Sequence, residues 1–220
     1  FTNTIFNQAG ALLHVYKDGS IQLNHGGTEM GQGLFIKVAQ VVAQELQVAI
    51  DQIEITATHT GKVPNTSATA ASTGSDLNGM AALNAARTIR RRLTAFASSH
   101  YGVPETEIAF RSSHIQIGPH KVSFSDLVLK AYLNRVQLSA TGFYRTPKIH
   151  WDPITITGRP FYYFAYGAAV TEVAIDLLTG ENRVIGVDIL HDVGRSLNPA
   201  VDAGQIEGGF IQGMGWLTTE

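Results

Sequence analysis

Apolar and polar residues follow two different periods along the chain, and each period predicts one kind of element. Residues 11–16 and 20–24 are short apolar-rich runs that flank Asp18-Gly19, a pair typical of a tight hairpin turn. Residues 161–176 and 183–190 flank Thr179-Gly180 in the same way, with a bulge expected near Gly167. We therefore predict two antiparallel hairpins, one from each pair of runs.

Apolar residues that recur three and four positions apart indicate helices. This spacing predicts helices over residues 34–48, 76–98, 125–132 and 200–218, with Ser125 as the N-cap of the third. Shorter apolar runs predict strands over residues 53–57, 107–117 and 137–144. Residues 148–159 have neither pattern and are predicted to be a loop.

The two predicted hairpins are followed by the same series of features. Each leads to a histidine, a glycine-bearing loop and a helix, and the matching segments are residues 18–33 and 179–194. This favours an internally duplicated hairpin–loop–helix unit in an α+β fold of two-layer, mixed or antiparallel sheets with helices. We expect sub-units at about residues 1–145 and 146–220.

The composition is unusually poor in charge. Asp, Glu, Lys and Arg make up 15% of the 220 residues, against about 25% in a typical soluble domain. The net charge of −2 disfavours a nucleic-acid binder, and no apolar run is long enough for a transmembrane helix. The lack of cysteine excludes disulfides and thiolate metal sites here and fits the reducing cytoplasm. We expect much of the surface to be covered by other parts of a larger polypeptide.

The first segment with candidate chemistry is HGGTEMGQG, residues 25–33, which leads into the first helix. Its four glycines allow positive φ angles and close approach of the backbone to a ligand. The N–H groups at a helix start bind anions such as phosphate, and Gln32 could donate and accept beside such a group. The alternative is a tight strand-to-helix turn without a ligand. The Walker and GxGxxG patterns are both absent.

The second segment is TSATAASTGSD, residues 66–76, which opens the second helix with Ser75 or Asp76 as the expected cap. Its small side chains leave the backbone N–H groups of Ala70, Ala71 and Ser72 open to a ligand. An ordinary serine- and threonine-rich loop is the alternative. Because both segments lie at helix starts, we expect them to share one site.

The third segment is GQIEGGFIQGMG, residues 204–215, in the last predicted helix. Each of its five glycines costs about 1 kcal/mol of helix stability relative to alanine. That cost indicates close packing or close approach of a ligand, and Gln205 and Gln212 lie on roughly one face.

The histidines are interpreted as structural or surface residues, because none is paired at metal-ligand spacing. The segments together predict an enclosed anionic, flat or bulky ligand, and a cofactor that carries the chemistry.

Four motifs, HGGTEMGQG, PNTSATAAS, SATGFYRTP and SLNPAVDAGQIEGGFIQGMG, occur in this order. With them the chain resembles the large molybdenum-binding subunit of the xanthine dehydrogenase and aldehyde oxidase family, from Phe1 to Glu220. TGFYRTP is closer to the xanthine dehydrogenase branch. In that family a pterin dithiolene (molybdopterin) holds molybdenum. A hydroxo ligand of the metal attacks a purine carbon and a hydride passes to a sulfido ligand. Electrons then leave through 2Fe-2S clusters and FAD to NAD.

The resemblance implies a role for particular positions. Met30, Gly31 and Gln32 match the family's first cofactor loop, and Gln205 matches another cofactor contact. The matches to the backbone segment beside the pterin are Ala70, Ala71 and Ser72. Phe1 and Thr2 are similar to the pair that contacts the purine substrate.

The resemblance also implies that the chemistry depends on parts outside this chain. The AFRGFG segment with the substrate-binding arginine and the GEPP segment with the catalytic glutamate are absent from these 220 residues. No residue of this chain is therefore expected to be catalytic or to bind the metal directly, and Glu29, Glu172 and Glu207 do not take the glutamate's role.

The implied activity is oxidation of hypoxanthine and xanthine to urate. The implied partners are the rest of the molybdenum subunit and an iron–sulfur and FAD subunit or domain, in a homodimer or an oligomer of heterodimers. No nucleic-acid or membrane partner is expected. The alternatives are an aldehyde oxidoreductase of the same family and a non-catalytic assembly module whose glycine loops serve subunit packing.

Overall fold

The computed structural model describes residues 3–63, 65–112 and 114–219. The chain divides into two compact units, residues 1–162 and residues 163–220. Each unit is described by itself below.

The first unit consists of three helices, nine strands and three short 3-10 helices among its described residues. In chain order the helices and strands are β1 Gln8–Val15, β2 Ile21–His25, α1 Leu34–Leu46, β3 Ile53–Ile55, α2 Gly74–Tyr101, β4 Ile108–Arg111, β5 His114–Ile117, β6 His120–Val122, α3 Phe124–Leu133, β7 Ser139–Arg145, β8 His150–Asp152 and β9 Thr157–Arg159. The 3-10 helices are Thr4–Phe6, Ile50–Gln52 and Glu105–Glu107.

A four-stranded sheet in the order β3-β2-β1-β7 forms the centre of the first unit. β1 pairs antiparallel with β2 and β7, whereas β3 joins β2 in parallel, so the sheet is mixed. α2 packs against β1 and β7, and α1 packs against α2 and β3. Ala9, Ala11 and Leu13 alternate along β1 and are buried, which gives the sheet an apolar face toward the helices.

The contact between α2 and β7 depends on small residues. A Cβ atom at Gly142 of β7 would overlap the carbonyl oxygen of Ala81 and lie 2.7 Å from the backbone nitrogen of Ala85. Ala81 and Ala85 are themselves fully buried. Strand and helix therefore touch backbone to backbone, and this contact sets the short distance between α2 and the sheet.

The second unit consists of β10 Gly167–Ile175, β11 Asn182–His191 and α4 Pro199–Thr218. β10 and β11 form an antiparallel hairpin with a bulge between Glu172 and Val173. The Asn198 side chain accepts from the Val201 N–H at 3.3 Å, and Pro199 opens the helix, which is its favoured position. Among described residues 163–219, none is buried.

The predicted fold class is confirmed. The molecule is α+β with mixed and antiparallel sheets, and hairpin, glycine-bearing loop and helix occur in this order in both units. Both predicted hairpins and all four predicted helices are present. Within the described part of the chain, no helix has the length and apolarity that crossing a membrane requires.

Two strand predictions are wrong in detail. Residues 107–117 form two antiparallel strands, β4 and β5, because the chain reverses between Arg111 and His114, and β6 adds a third strand. The strand predicted over residues 161–176 begins only at Gly167, and its bulge lies five residues further on.

The predicted loop over residues 148–159 is instead the hairpin β8–β9. Asp152 Oδ1 accepts the N–H groups of Ile154 at 2.9 Å and Thr155 at 3.3 Å, so an aspartate-centred turn reverses the chain.

The predicted helix caps are also wrong. Ser123, rather than Ser125, caps α3, because its Oγ accepts the Asp126 N–H at 3.0 Å. α2 begins at Gly74 after Thr73, so Ser75 and Asp76 lie inside its first turn.

Candidate functional site

The loop between β2 and α1, residues 26–33, is called the glycine loop here, and the carboxylate of Glu29 holds it in shape. Glu29 Oε1 accepts the N–H groups of Gly31 at 2.9 Å and Gly33 at 3.0 Å. Its Oε2 accepts the N–H of Phe35 at 2.9 Å. Burial alone would raise the pKa of Glu29, but these backbone donors outweigh burial and lower it. An internal carboxylate therefore binds two of the N–H groups at the start of α1, those of Gly33 and Phe35.

Gln32 closes the same loop with both ends of its amide. Its Nε2 donates to the carbonyl of Thr28 at 2.9 Å, and its Oε1 accepts the Met30 N–H at 2.6 Å. Gly31 lies at φ +97°, and a Cβ there would meet no atom within 4 Å. The loop thus exposes Met30 and the Gly31 backbone, while Gln32 supports them from within.

The loop before α2, residues 65–73, is called the alanine–serine loop here. Ala71 and Ser72 both lie in the left-handed region, at φ +55° and +54°. Non-glycine residues rarely adopt this conformation, and it persists where the surroundings or a function require it. Ala70, Ala71 and Ser72 are all exposed, so their small side chains leave this strained backbone open to a ligand.

The glycine loop and the alanine–serine loop meet directly. The Thr28 N–H donates to Thr69 Oγ1 at 2.8 Å. Their helices also begin side by side, since a Cβ at Gly74 would lie 3.4 Å from the side chain of Leu34. Two of the three segments singled out from the sequence therefore form one surface at the starts of α1 and α2.

His25 supports the glycine loop from the protein interior. Its ring is 2% exposed and packs edge-on against Phe35 at 5.1 Å between ring centroids. Nδ1 accepts the Gly27 N–H at 3.1 Å. Burial lowers the pKa of His25 to about 4, against which Glu29 exerts a smaller, raising effect. The ring is therefore neutral at pH 7, and it supports the glycine loop through the Gly27 hydrogen bond and the Phe35 contact. His191, its counterpart in the second unit, is exposed.

The remaining predicted site residues lie elsewhere. Gln205 is exposed on α4 in the second unit. Phe1 and Thr2, the predicted substrate contacts, lie outside the described residues. The segment that follows them borders a cavity of about 800 Å³, lined among others by Thr4, Gln8 and Arg145. Within residues 3–63, 65–112 and 114–219, no three His, Asp or Glu side chains form a metal-ligating group.

Sequence reasoning missed the residues that build the loops from within. The family resemblance says of Glu29 only that it is not the catalytic base, yet this residue organises the glycine loop. Thr69 joins the two loops and Asn78 packs behind Gly27. A carboxylate a few residues before a helix start is a usable signal for Glu29. The contacts of Thr69 and Asn78 cross from one segment to another, so no local pattern marks them.

Comparisons with known proteins show which chains this one is similar to. A family model described as the molybdopterin cofactor-binding domain matches residues 1–220. The chain is 50% identical over 220 residues to the xanthine dehydrogenase of Oryza sativa subsp. japonica and 49% identical to the xanthine dehydrogenase/oxidase of Gallus gallus. Each alignment covers 100% of this chain and 15% of the relative, so the chain spans a small part of these relatives' length.

Solved structures show the same fold at lower identity. The reconstituted CO dehydrogenase from Oligotropha carboxidovorans matches 91% of this chain and 24% of its own, with a TM-score of 0.78 at 23% identity. The aldehyde oxidoreductase from Desulfovibrio gigas matches 94% of this chain and 21% of its own, with a TM-score of 0.74 at 22% identity.

Proposed function

The chain belongs to the molybdopterin cofactor-binding domain family, and we propose that it forms part of the molybdenum cofactor site of a xanthine dehydrogenase-type oxidoreductase. The observation that carries this proposal is the surface formed by the glycine loop and the alanine–serine loop. Thr28 and Thr69 join the loops, and the left-handed backbone at Ala71 and Ser72 is exposed beside them.

These residues fit a bulky, polar cofactor. The exposed positions on the two loops are small or flexible, which lets a ligand approach the backbone closely. We assign contacts with the cofactor to Met30, Gly31 and Gln32 of the glycine loop, to Ala70, Ala71 and Ser72 of the alanine–serine loop, and to Gln205 of α4. When bound, the molybdenum centre supplies the redox chemistry that oxidises the substrate.

The chain's own residues orient that group. Glu29 already accepts the N–H groups of Gly31, Gly33 and Phe35, so these donors are not open to the anionic part of a ligand. The open backbone at residues 70–72 is the place we assign to it. Gln32 keeps one amide hydrogen and one oxygen lone pair beyond its two loop contacts, and we infer that these contact the cofactor.

The test is the molybdenum content of the full-length protein carrying Gln32→Ala. Gln116→Ala is the matched control, because Gln116 Nε2 also donates to loop carbonyls, those of Gly118 and His120, in a different hairpin. Gln32→Ala should lower molybdenum per polypeptide several-fold, whereas both variants should lose a similar, small amount of stability. Full molybdenum occupancy in Gln32→Ala would remove Gln32 from the site, and absence of molybdenum from the unmodified protein would favour an assembly module.

For the substrate we propose hypoxanthine and xanthine, oxidised to urate with electrons passing through 2Fe-2S clusters and FAD in other parts of the protein to NAD. The support is the identity of about half the residues to xanthine dehydrogenases and the motif TGFYRTP, whose Phe143 and Arg145 border the cavity beside the N-terminal segment. Phe1→Ala should raise the KM for purines or lower kcat while molybdenum stays bound. Unchanged purine kinetics would remove Phe1 from the pocket, and turnover of aldehydes without purines would favour an aldehyde oxidoreductase.

We also propose that other parts of a larger polypeptide or assembly cover the second unit. Its apolar side chains are far more exposed than is usual, with Leu190, Trp216 and Leu217 at 79%, 74% and 79%. A catalytic glutamate and the iron–sulfur and FAD groups would come from those parts, since we assign no catalytic residue to this chain.

A further inference from the structure

Three buried side-chain atoms of the described residues lack a hydrogen-bond partner: His25 Nε2, Thr66 Oγ1 and Asn78 Oδ1. Each atom has essentially no accessible surface. Buried polar atoms are almost always hydrogen-bonded in native proteins, so a group of three requires an explanation.

The three residues surround one dipeptide, Gly26-Gly27. His25 Nδ1 accepts the Gly27 N–H, and a Cβ at Gly27 would lie 2.7 Å from Asn78 Nδ2. A Cβ at Gly26 would overlap the Thr66 side chain. The first two residues of the glycine loop therefore bring β2, the alanine–serine loop and α2 together.

Neighbouring hydrogen bonds fix which of these atoms donates and which accepts. Because His25 Nδ1 accepts from Gly27, the neutral ring carries its proton on Nε2, which is a donor. Because Asn78 Nδ2 donates to the Gly74 carbonyl at 2.8 Å, its Oδ1 is an acceptor. The Thr66 hydroxyl can do either.

We propose that His25, Thr66 and Asn78 hold one ordered internal water molecule that couples the glycine loop to the alanine–serine loop and to α2. Water both donates and accepts, so it matches one fixed donor, one fixed acceptor and one adaptable hydroxyl. Phosphate would place an anion against the Asn78 oxygen. A cofactor on the outer surface of the loops cannot reach atoms that have no accessible surface.

The coupling matters because the same two loops contain the residues to which cofactor contacts are assigned above. Its role in cofactor binding therefore rests on the proposed function. The Thr28–Thr69 hydrogen bond joins the loops at the exposed side. The proposed water would join them at the buried side, so that the cofactor meets a preformed surface.

The direct test is crystallography of the full-length protein, prepared with and without its cofactor, at a resolution that shows ordered waters. The expected result is a water peak within hydrogen-bond distance of His25 Nε2, Thr66 Oγ1 and Asn78 Oδ1 in both preparations. A side chain or a cofactor atom in that place, or an empty space, overturns the proposal. A water peak in a protein that binds no molybdenum would retain this inference and reject the proposed function.

A second test uses hydrogen exchange of the Thr28 amide in full-length protein carrying Thr66→Val, Asn78→Leu or both. Each single change should speed exchange about tenfold, and the double variant should be no faster, because either change removes the shared water. Rates that multiply to about a hundredfold in the double variant would show independent sites and overturn the proposal. Asn84→Leu, also on α2 but bonded to the Phe143 carbonyl, is the control and should leave the Thr28 amide unchanged.

Discussion

Residues 3–162 and residues 163–219 contain the same hairpin, loop and helix order, yet they bury their side chains very differently. In the first unit, Leu13, Leu23 and Val38 are completely buried. In the hairpin of the second unit, Val173 is 51% exposed and Leu190 is 79% exposed. In the first unit α2 packs against both the hairpin strand β1 and the helix α1. The described part of the second unit, residues 163–219, has no such element. A hairpin followed by a helix therefore does not make a core without a further layer.

The largest expected effect is the difference in stability between a glycine substitution in the first unit and one in the second unit. Gly142→Ala should destabilise the chain by more than about 3 kcal/mol, because the new Cβ meets the backbone of α2. In the 220-residue chain by itself, Gly208→Ala in α4 should raise helix stability by up to about 1 kcal/mol, since a Cβ there meets no atom of this chain within 4 Å. Urea unfolding of both variants measures the difference. Equal losses would contradict the contrast drawn between the units.

The next effect concerns the dependence of stability on pH, through the buried His25 of the first unit. The pKa of His25 falls from 6.5 to about 4 on folding. Below pH 6.5 the unfolded chain therefore binds a proton at His25 that the folded chain does not bind. The free energy of unfolding consequently decreases as the pH is lowered from 6.5 to about 4. The loss should reach about 3 kcal/mol across that range. His25→Gln should flatten this part of the stability curve. A curve unaffected by His25→Gln would show that the ring is not buried in its neutral form.

Glu29 should affect stability at lower pH than His25 does, and the effect of its loss should be confined to a smaller part of the structure. Its folded-state pKa is lowered, so its contribution is complete above the usual glutamate value of about 4.3 and is lost as pH falls through the folded-state pKa. Glu29→Ala should cost about 1 kcal/mol, as for loss of a helix cap, and should speed amide exchange at Gly33 and Phe35. Unchanged exchange at both amides would mean that the carboxylate does not hold the loop.

The smallest expected effect compares two helix caps. Ser123→Ala removes the Ser123 acceptor for the Asp126 N–H and should cost the first unit about 1 kcal/mol. Asn198→Ala removes the longer bond from Val201 and should reduce only the helicity of α4. Circular dichroism during urea unfolding distinguishes them. A shift of the main unfolding transition by Asn198→Ala would show that α4 shares the first unit's stability.

Much of the fold could be predicted because its signals are local. The 3.6-residue period placed all four helices, and the Asp18-Gly19 and Thr179-Gly180 turns placed both hairpins. The turn between Arg111 and His114 is not predicted, because residues 111–114 include neither glycine nor proline. The hairpin at residues 150–159 was missed because Asp152 forms its turn through hydrogen bonds that composition does not reveal.

The candidate site was only partly predictable for a similar reason. Glycine content and small side chains pointed to the two loops, and the structure joins them. That contact depends on Thr28 and Thr69, which are 41 residues apart, and the polar group beneath it on His25, Thr66 and Asn78. Such contacts arise from the packing of α1 against α2, and no periodic pattern in either segment records them.

The central claim is that the glycine loop and the alanine–serine loop together contact a molybdenum cofactor. Hydrogen exchange of the full-length protein, compared with and without the cofactor, tests it most directly. Amides of residues 28–33 and 69–72 should exchange more slowly in the loaded protein, and both loops should respond together. Protection confined to other parts of the protein, with both loops unchanged, would contradict the account.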